Sequence, residues 1–205
     1  LATDIEDLPE TSTIAEPDAP AIRYAYKASL IGAAHRFDVT DGALAWRFAG
    51  RAGGWAYADI AAIRLSYRPV SMQQRRFRAD LRHANGTRLV LISTSWQTAA
   101  LMAPQDKDYR VFIIALHERM AKAGSHAKLT GGLGPWTYAA ALALVTLVGI
   151  GMAGLLVRAL AIGEFAGASF LVGFAALFGW QVGGFVRRNR PVAYTFGHLP
   201  EALLP

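Results

Sequence analysis

Two stretches of this chain run without charge for long enough to cross a lipid bilayer, and they constrain everything else. Residues 129–157 hold no ionisable side chain except tyrosine, with an apolar centre at 136–157. A short link, 158–164, leads to residues 165–186, again uncharged and largely apolar. As a helix, each 22-residue stretch spans roughly 33 Å, against a hydrocarbon core about 30 Å thick. Trp136 and Tyr138 stand at the start of the first stretch and Trp180 near the end of the second, where amphipathic rings favour the membrane interface. The competing reading, a buried helical hairpin of a soluble protein, fits poorly with two spans of this length. Neither span carries a charge, and Glu164 lies in the link, which argues against a transporter or channel built from this chain alone.

The flanking charges set an expected orientation. Arg119, Lys122 and Lys128 precede the first span, and Arg187, Arg188 and Arg190 follow the second. The link holds only Arg158 beside Glu164. Basic residues collect on the cytoplasmic side, so a multi-pass protein of the inner (plasma) membrane with both termini in the cytoplasm is expected. Residues 1–20 lack an apolar segment of the signal-peptide kind.

Composition sharpens the division. Of 205 residues, 53% are apolar and only 18% charged, where a soluble domain has about 25% charged. The net charge of +6 is unevenly placed. Residues 1–20 carry six acids and no base, residues 21–128 carry a net +10, and residues 129–205 a net +2. The first segment reads as a flexible acidic arm, too polar to offset the entropy of ordering it. Four parts are therefore expected: the arm at 1–20, a cytoplasmic domain at 21–128, a transmembrane hairpin at 129–190 and a tail at 191–205. Tyr194, Phe196, Leu199, Leu203 and Leu204 make that tail too apolar to stay free, so it is expected to pack on the domain or on a partner.

Within 22–94 the hydrophobic period is close to two. Alternating runs at 22–30, 35–40, 43–48, 55–60, 62–67, 75–84 and 87–94 predict six or seven short antiparallel strands. Asp41-Gly42 and Asn85-Gly86 mark hairpin turns, and 49–54 reads as a Gly-rich turn. The period then becomes helical. Tyr109, Phe112, Ile113, Leu116 and Met120 fall on one face of a helix over 106–123, with Asp106 and Asp108 in its first turn and Gly124 after its end. Residues 93–103, before Pro104, leave room for a short extra helix.

Two segments carry a resemblance. These are Phe37-Asp38-Val39-Thr40-Asp41-Gly42-Ala43-Leu44-Ala45-Trp46 and Trp55-Ala56-Tyr57-Ala58-Asp59-Ile60-Ala61-Ala62-Ile63-Arg64-Leu65. A first hairpin followed by an aromatic-x-Asp-Ile-x-x-Ile element, within a strand meander closed by a helix, resembles the pleckstrin-homology-like (PH-like) domains of bacterial membrane proteins. The likeness covers 22–124. It implies an α+β fold: a PH-like antiparallel β-barrel or sandwich capped by a C-terminal helix, here followed by a two-helix transmembrane hairpin. Lipid-binding members of that family carry a Lys followed by basic-x-basic in the first hairpin. Here Lys27 is followed by Arg36-Phe37-Asp38, a departure from that pattern.

No catalytic, cofactor or metal site is expected. The chain has no cysteine, which excludes disulfides, zinc–thiolate sites and thiol catalysis. Its histidines (His35, His83, His117, His126 and His198) show no ligand spacing. Gly149-x-Gly151-x-x-Gly154 matches a dinucleotide fingerprint by letter but lies inside an apolar span, with no strand before it. Those glycines, with Gly179 and Gly183, are instead candidates for close helix packing, either of the hairpin on itself or on helices of another protein. Arg76, Arg78 and Arg82, with Arg64 and Arg68 nearby, form a candidate basic face. It would serve as a solvated surface, or as a site for anionic lipid headgroups or an acidic partner. No nucleic-acid-binding module is recognisable. The expected function is non-enzymatic: an accessory or scaffolding subunit of a membrane protein complex, with an anionic-lipid-surface sensor as the alternative.

Overall fold

The computed structural model describes residues 22–29, 31–48, 50–69, 75–98 and 101–205. The acidic arm lies outside the described residues. The strand-rich half is a meander split between two sheets. β1 (Ile22–Tyr26), β2 (His35–Val39), β3 (Ala43–Phe48) and β4 (Arg51–Ala56) pair in sequence order, all antiparallel. A single 3-10 turn, Tyr57–Asp59, passes the chain to β5 (Ile60–Tyr67), β6 (Phe77–His83) and β7 (Arg88–Ile92) in the second sheet. β8 (Thr94–Thr98) and β9 (Leu101–Pro104) form a small hairpin, and α1 (Asp106–Lys122) follows.

The helix closes the core as its periodicity requires. Tyr109, Phe112, Ile113, Leu116 and Met120 are fully buried, each such burial contributing roughly 1.5–3 kcal/mol. Their partners are the inward residues of the meander. The Phe112 ring lies 5.6 Å from Tyr24 and 6.4 Å from Phe37, and Tyr109 meets Tyr24 edge-on at 5.9 Å.

Three expectations need correction. The segment 93–103 contributes β8 and β9 rather than a helix. Thr94, Trp96 and Thr98 favour extended backbone, and the hairpin is stitched to β1 by Trp96 N–H donating to Lys27 O and Lys27 N–H donating to Ser95 Oγ, at 3.2 and 3.0 Å. The glycines at 53 and 54 lie within β4 instead of a turn. Gly53 faces Trp46 across the ladder, and a Cβ there would stand 2.5 Å from the indole, so the glycine makes room for the ring. Lastly, the globular part does not end at residue 128. β10 (Lys128–Gly131) adds to the second sheet, parallel to β5, and its Leu129 is buried.

Two helices long and apolar enough to cross a membrane follow: α2 (Pro135–Ala161) and α3 (Phe165–Arg188). At 27 and 24 residues they extend about 40 and 36 Å. Pro135 opens α2 at the position where its missing N–H costs nothing. Ala168 is the one buried residue of the pair, while Leu147, Ile150 and Phe170 are 65–70% exposed. A hairpin serving as a soluble core would have buried these side chains.

Both ends of the hairpin are bonded to the sheet. Gly132 N–H donates to Leu65 O on β5, and Leu133 N–H donates to Asn189 O just after α3, at 2.8 and 2.9 Å. The chain then returns as β11 (Val192–Ala193), antiparallel to β10, which extends the second sheet to the order β11-β10-β5-β6-β7. The tail packs on the globular part: Leu203 and Leu204 are buried in its core, and Arg110 holds Glu201 at 2.8 Å and the Pro205 carbonyl at 2.9 Å. The hairpin is thus inserted between two strands of one sheet, not hung from its end.

Candidate functional site

Basic residues gather on the outer face of the second sheet. In β6, Phe77, Ala79 and Leu81 point to the core, which turns Arg78, Asp80 and Arg82 outward. Register supplies their neighbours. Arg82 stands opposite Ala62 on β5 and Arg88 on β7, and Lys128 on β10 flanks Ala62 from the far side. One step along the strands, Arg64 lies between Asp80 and Thr130.

A groove of about 540 Å³ runs over this face. Arg64, Arg68, Arg78, Arg82, Arg88 and Lys128 line it, with Asp80 as its one acid, and it ends at Gly134 and Pro135 where α2 starts. Arg64 Nη1 is 3.7 Å from where a Cβ on Gly134 would stand. The single acid is already committed: Arg78 Nε lies 2.9 Å from both carboxylate oxygens of Asp80. The other five cations form no ion pair among the described residues. Among the described residues, then, five of the six groove cations have no acidic partner, and they stand beside the start of an apolar helix.

Four of the five arginines expected on this face are in the groove. Arg76 is not. Its backbone continues the β5–β6 ladder, Arg68 N–H donating to its carbonyl at 2.8 Å, but its Nε donates to the Arg68 carbonyl at 3.3 Å and it does not line the groove. Burial, followed by repulsion from Arg78 and Arg68, lowers the pKa of its guanidinium. Arg88 and Lys128 belong to the groove and were not anticipated. Arg88 is readable in principle, because the Asn85-Gly86 turn brings it opposite Arg82. Lys128 has no local signal, since its place depends on the parallel pairing with β5.

The five glycines Gly149, Gly151, Gly154, Gly179 and Gly183 are all exposed, and a Cβ added to any of them would meet nothing within 4 Å. α2 and α3 touch each other, but these glycines do not line the contact. Packing of the hairpin on itself does not account for them.

Among the described residues, no group of three or more His, Asp or Glu is placed to hold a metal ion. The buried His117 is structural in its contacts: Nδ1 lies 2.7 Å from the Ile113 carbonyl and Nε2 lies 3.0 Å from the Tyr194 hydroxyl of the tail. No family model, curated protein or solved structure matches this chain.

Proposed function

We propose that this chain is a non-enzymatic, membrane-anchored module. A PH-like domain is fixed to the cytoplasmic face of the inner (plasma) membrane by a two-helix hairpin and acts as an accessory or scaffolding subunit of a membrane protein complex. The PH-like reading is supported by the seven-strand meander, split over two sheets, with α1 closing the core between them. The observation that carries the functional reading is the outward display of the hairpin. Its glycines leave flat exposed surfaces on α2 and α3, of the kind that lets a neighbouring helix approach closely. Its ends are bonded into the domain sheet, so a partner gripping the helices would also fix the domain.

Extraction of the full chain from its own membrane in a mild detergent, followed by native mass spectrometry, tests this. Co-migration with other membrane proteins in fixed ratio is expected. A chain that always runs as a lone monomer overturns the accessory-subunit reading.

The second reading is recognition of an anionic lipid surface, and the basic groove is the observation that favours it. Six cations and one internally paired acid sit beside the start of α2, the depth at which headgroups lie if α2 spans the bilayer. Basic residues near an anionic leaflet gain about 1 kcal/mol each. Salt-sensitive preference for anionic over zwitterionic bilayers is the expected result, and indifference to headgroup charge would dismiss it.

A further inference from the structure

A second cleft opens at the other end of the hairpin, about 700 Å³ in volume, between the last turns of α3 and the globular part. Trp180, Val182 and Phe185 supply an apolar wall from the helix. Tyr67, Pro69 and Arg75 close it from the sheet side, and Arg187 and Arg188 stand at its rim. No acid lines it. The nearest recess on the far side of the same arginines contains Glu201, but that carboxylate is held by Arg110 at 2.8 Å. Residues 70–74, between Pro69 and Arg75, lie outside the described residues and carry no charge in sequence.

We propose that this cleft holds one anionic phospholipid, its phosphate among Arg75, Arg187 and Arg188 and one acyl chain along Trp180, Val182 and Phe185. The proposal rests on reading α2 and α3 as membrane spans. Three features of the cleft point to a lipid and not to a soluble anion. The apolar wall continues directly into the exposed side of α3, which offers a path for an acyl chain. Trp180, 80% exposed, stands seven residues before Arg187 in sequence, about 10 Å along the helix, so ring and guanidinium match the order of interface and phosphate. The cations come from both sides of the opening, which a helix terminus alone would not provide. Arg188 is steadied by its position over the Tyr67 ring, 5.0 Å from the centroid, and Tyr67 is fixed to Asn189 by two hydrogen bonds. A planar, poorly hydrated guanidinium held in this way suits an oxyanion.

The test uses the full chain, delipidated in an uncharged detergent and supplied with phosphatidylglycerol or phosphatidylcholine, with retained lipid counted by native mass spectrometry. One phosphatidylglycerol per chain is expected to survive at detergent levels that strip phosphatidylcholine. Arg75→Gln and Arg187→Gln should each weaken retention about fivefold or more, as loss of ~1 kcal/mol per cation implies, while Lys107→Gln on α1, which lines neither this cleft nor the basic groove, should leave it unchanged. Phosphatidylglycerol with brominated acyl chains gives an independent readout. It should quench tryptophan emission in the wild type and markedly less in Trp180→Phe. Equal retention of the two lipids, or equal quenching in both proteins, overturns the proposal. Membrane anchoring is checked separately by resistance to alkaline extraction. A chain released by alkali refutes the spans themselves, whereas a chain that resists it but shows no lipid preference refutes the cleft alone.

Discussion

The side chain of Asn189 pairs with the backbone of Tyr67 as a neighbouring strand would, accepting from its N–H at 3.1 Å and donating to its carbonyl at 2.8 Å. Asn189 is fully buried at the first residue after α3, and Tyr67 is the last residue of β5. One amide thus satisfies both backbone polar groups of Tyr67, which stands opposite Phe77 of β6 but lies beyond the end of β10 on its other side, and it joins the end of the hairpin to the domain. Asn189→Ala would strand both groups, at about 1–3 kcal/mol each. The expected result is a loss of roughly 2–6 kcal/mol in the denaturation of the detergent-solubilised chain. Asn189→Asp should also destabilise, because a carboxylate can accept from Tyr67 N–H but cannot donate to its carbonyl.

The other end of the hairpin depends on Gly132. Its φ is +81°, and a Cβ there would stand 2.4 and 2.5 Å from the carbonyl oxygens of Arg190 and Asn189. Both the conformation and the close approach of two backbones require glycine. Gly132→Ala is therefore expected to cost more than Gly124→Ala, where φ is +66° but the space is open. The second change should cost about 1 kcal/mol, the ordinary penalty of a left-handed alanine. The first should exceed it by enough to separate the two melting curves clearly. Equal losses would mean that the β10–α2 junction is not held as described.

What was legible in the sequence, and what was not, divides along local and non-local lines. The spacing of Tyr109, Phe112, Ile113, Leu116 and Met120 specifies α1 and its buried face, because a helix repeats within one segment. Asp41-Gly42 and Asn85-Gly86 place two hairpins for the same reason, and sustained apolarity places α2 and α3. β10 is invisible by such means. Leu129 and Gly131 continue the uncharged run that precedes α2, and only the distant partner β5 makes them a strand. The partnership of Asn189 with Tyr67 is equally silent, since it joins residues 122 positions apart. At the site, alternation along β6 turns Arg78 and Arg82 outward, whereas the bond from Arg76 Nε to the Arg68 carbonyl is a contact that alternation does not encode.

His117 gives the fold a pH dependence of definite sign. Burial lowers its pKa below the ordinary 6.5, although the hydrogen bond to the Ile113 carbonyl opposes this. That carbonyl can only accept, so Nδ1 carries the proton in the neutral ring and Nε2 is free to accept from the Tyr194 hydroxyl. The unfolded chain therefore binds a proton that the folded chain resists. The stabilisation is complete above about pH 6.5 and is lost as the pH falls from there towards the lowered value, with a slope of at most ~1.4 kcal/mol per pH unit for one proton. His35, lowered by burial as well, acts in the same direction. Denaturation midpoints measured from neutral to mildly acidic pH should decline, and His117→Gln should flatten the decline while leaving that of His35. A profile unchanged by His117→Gln would mean that this histidine does not titrate with unfolding.

The ion pair within the groove makes a prediction opposite to intuition about removing charge. Asp80 is the one acid among six cations, and it occupies Arg78 through both oxygens. Asp80→Asn removes that partner and raises the net charge of the groove by one. Arg78 and Asp80 are both partly exposed, so the cost in stability should be small, within about 1 kcal/mol. If the groove faces anionic headgroups, affinity for short-chain phosphatidylglycerol, titrated against the chain in uncharged detergent, should rise by about fivefold, the equivalent of ~1 kcal/mol. Arg82→Gln with Arg88→Gln should lower it by more than tenfold, and rising salt should compress both differences. If instead the groove is only a solvated face, all three proteins will bind alike, and the lipid-surface reading of this sheet falls.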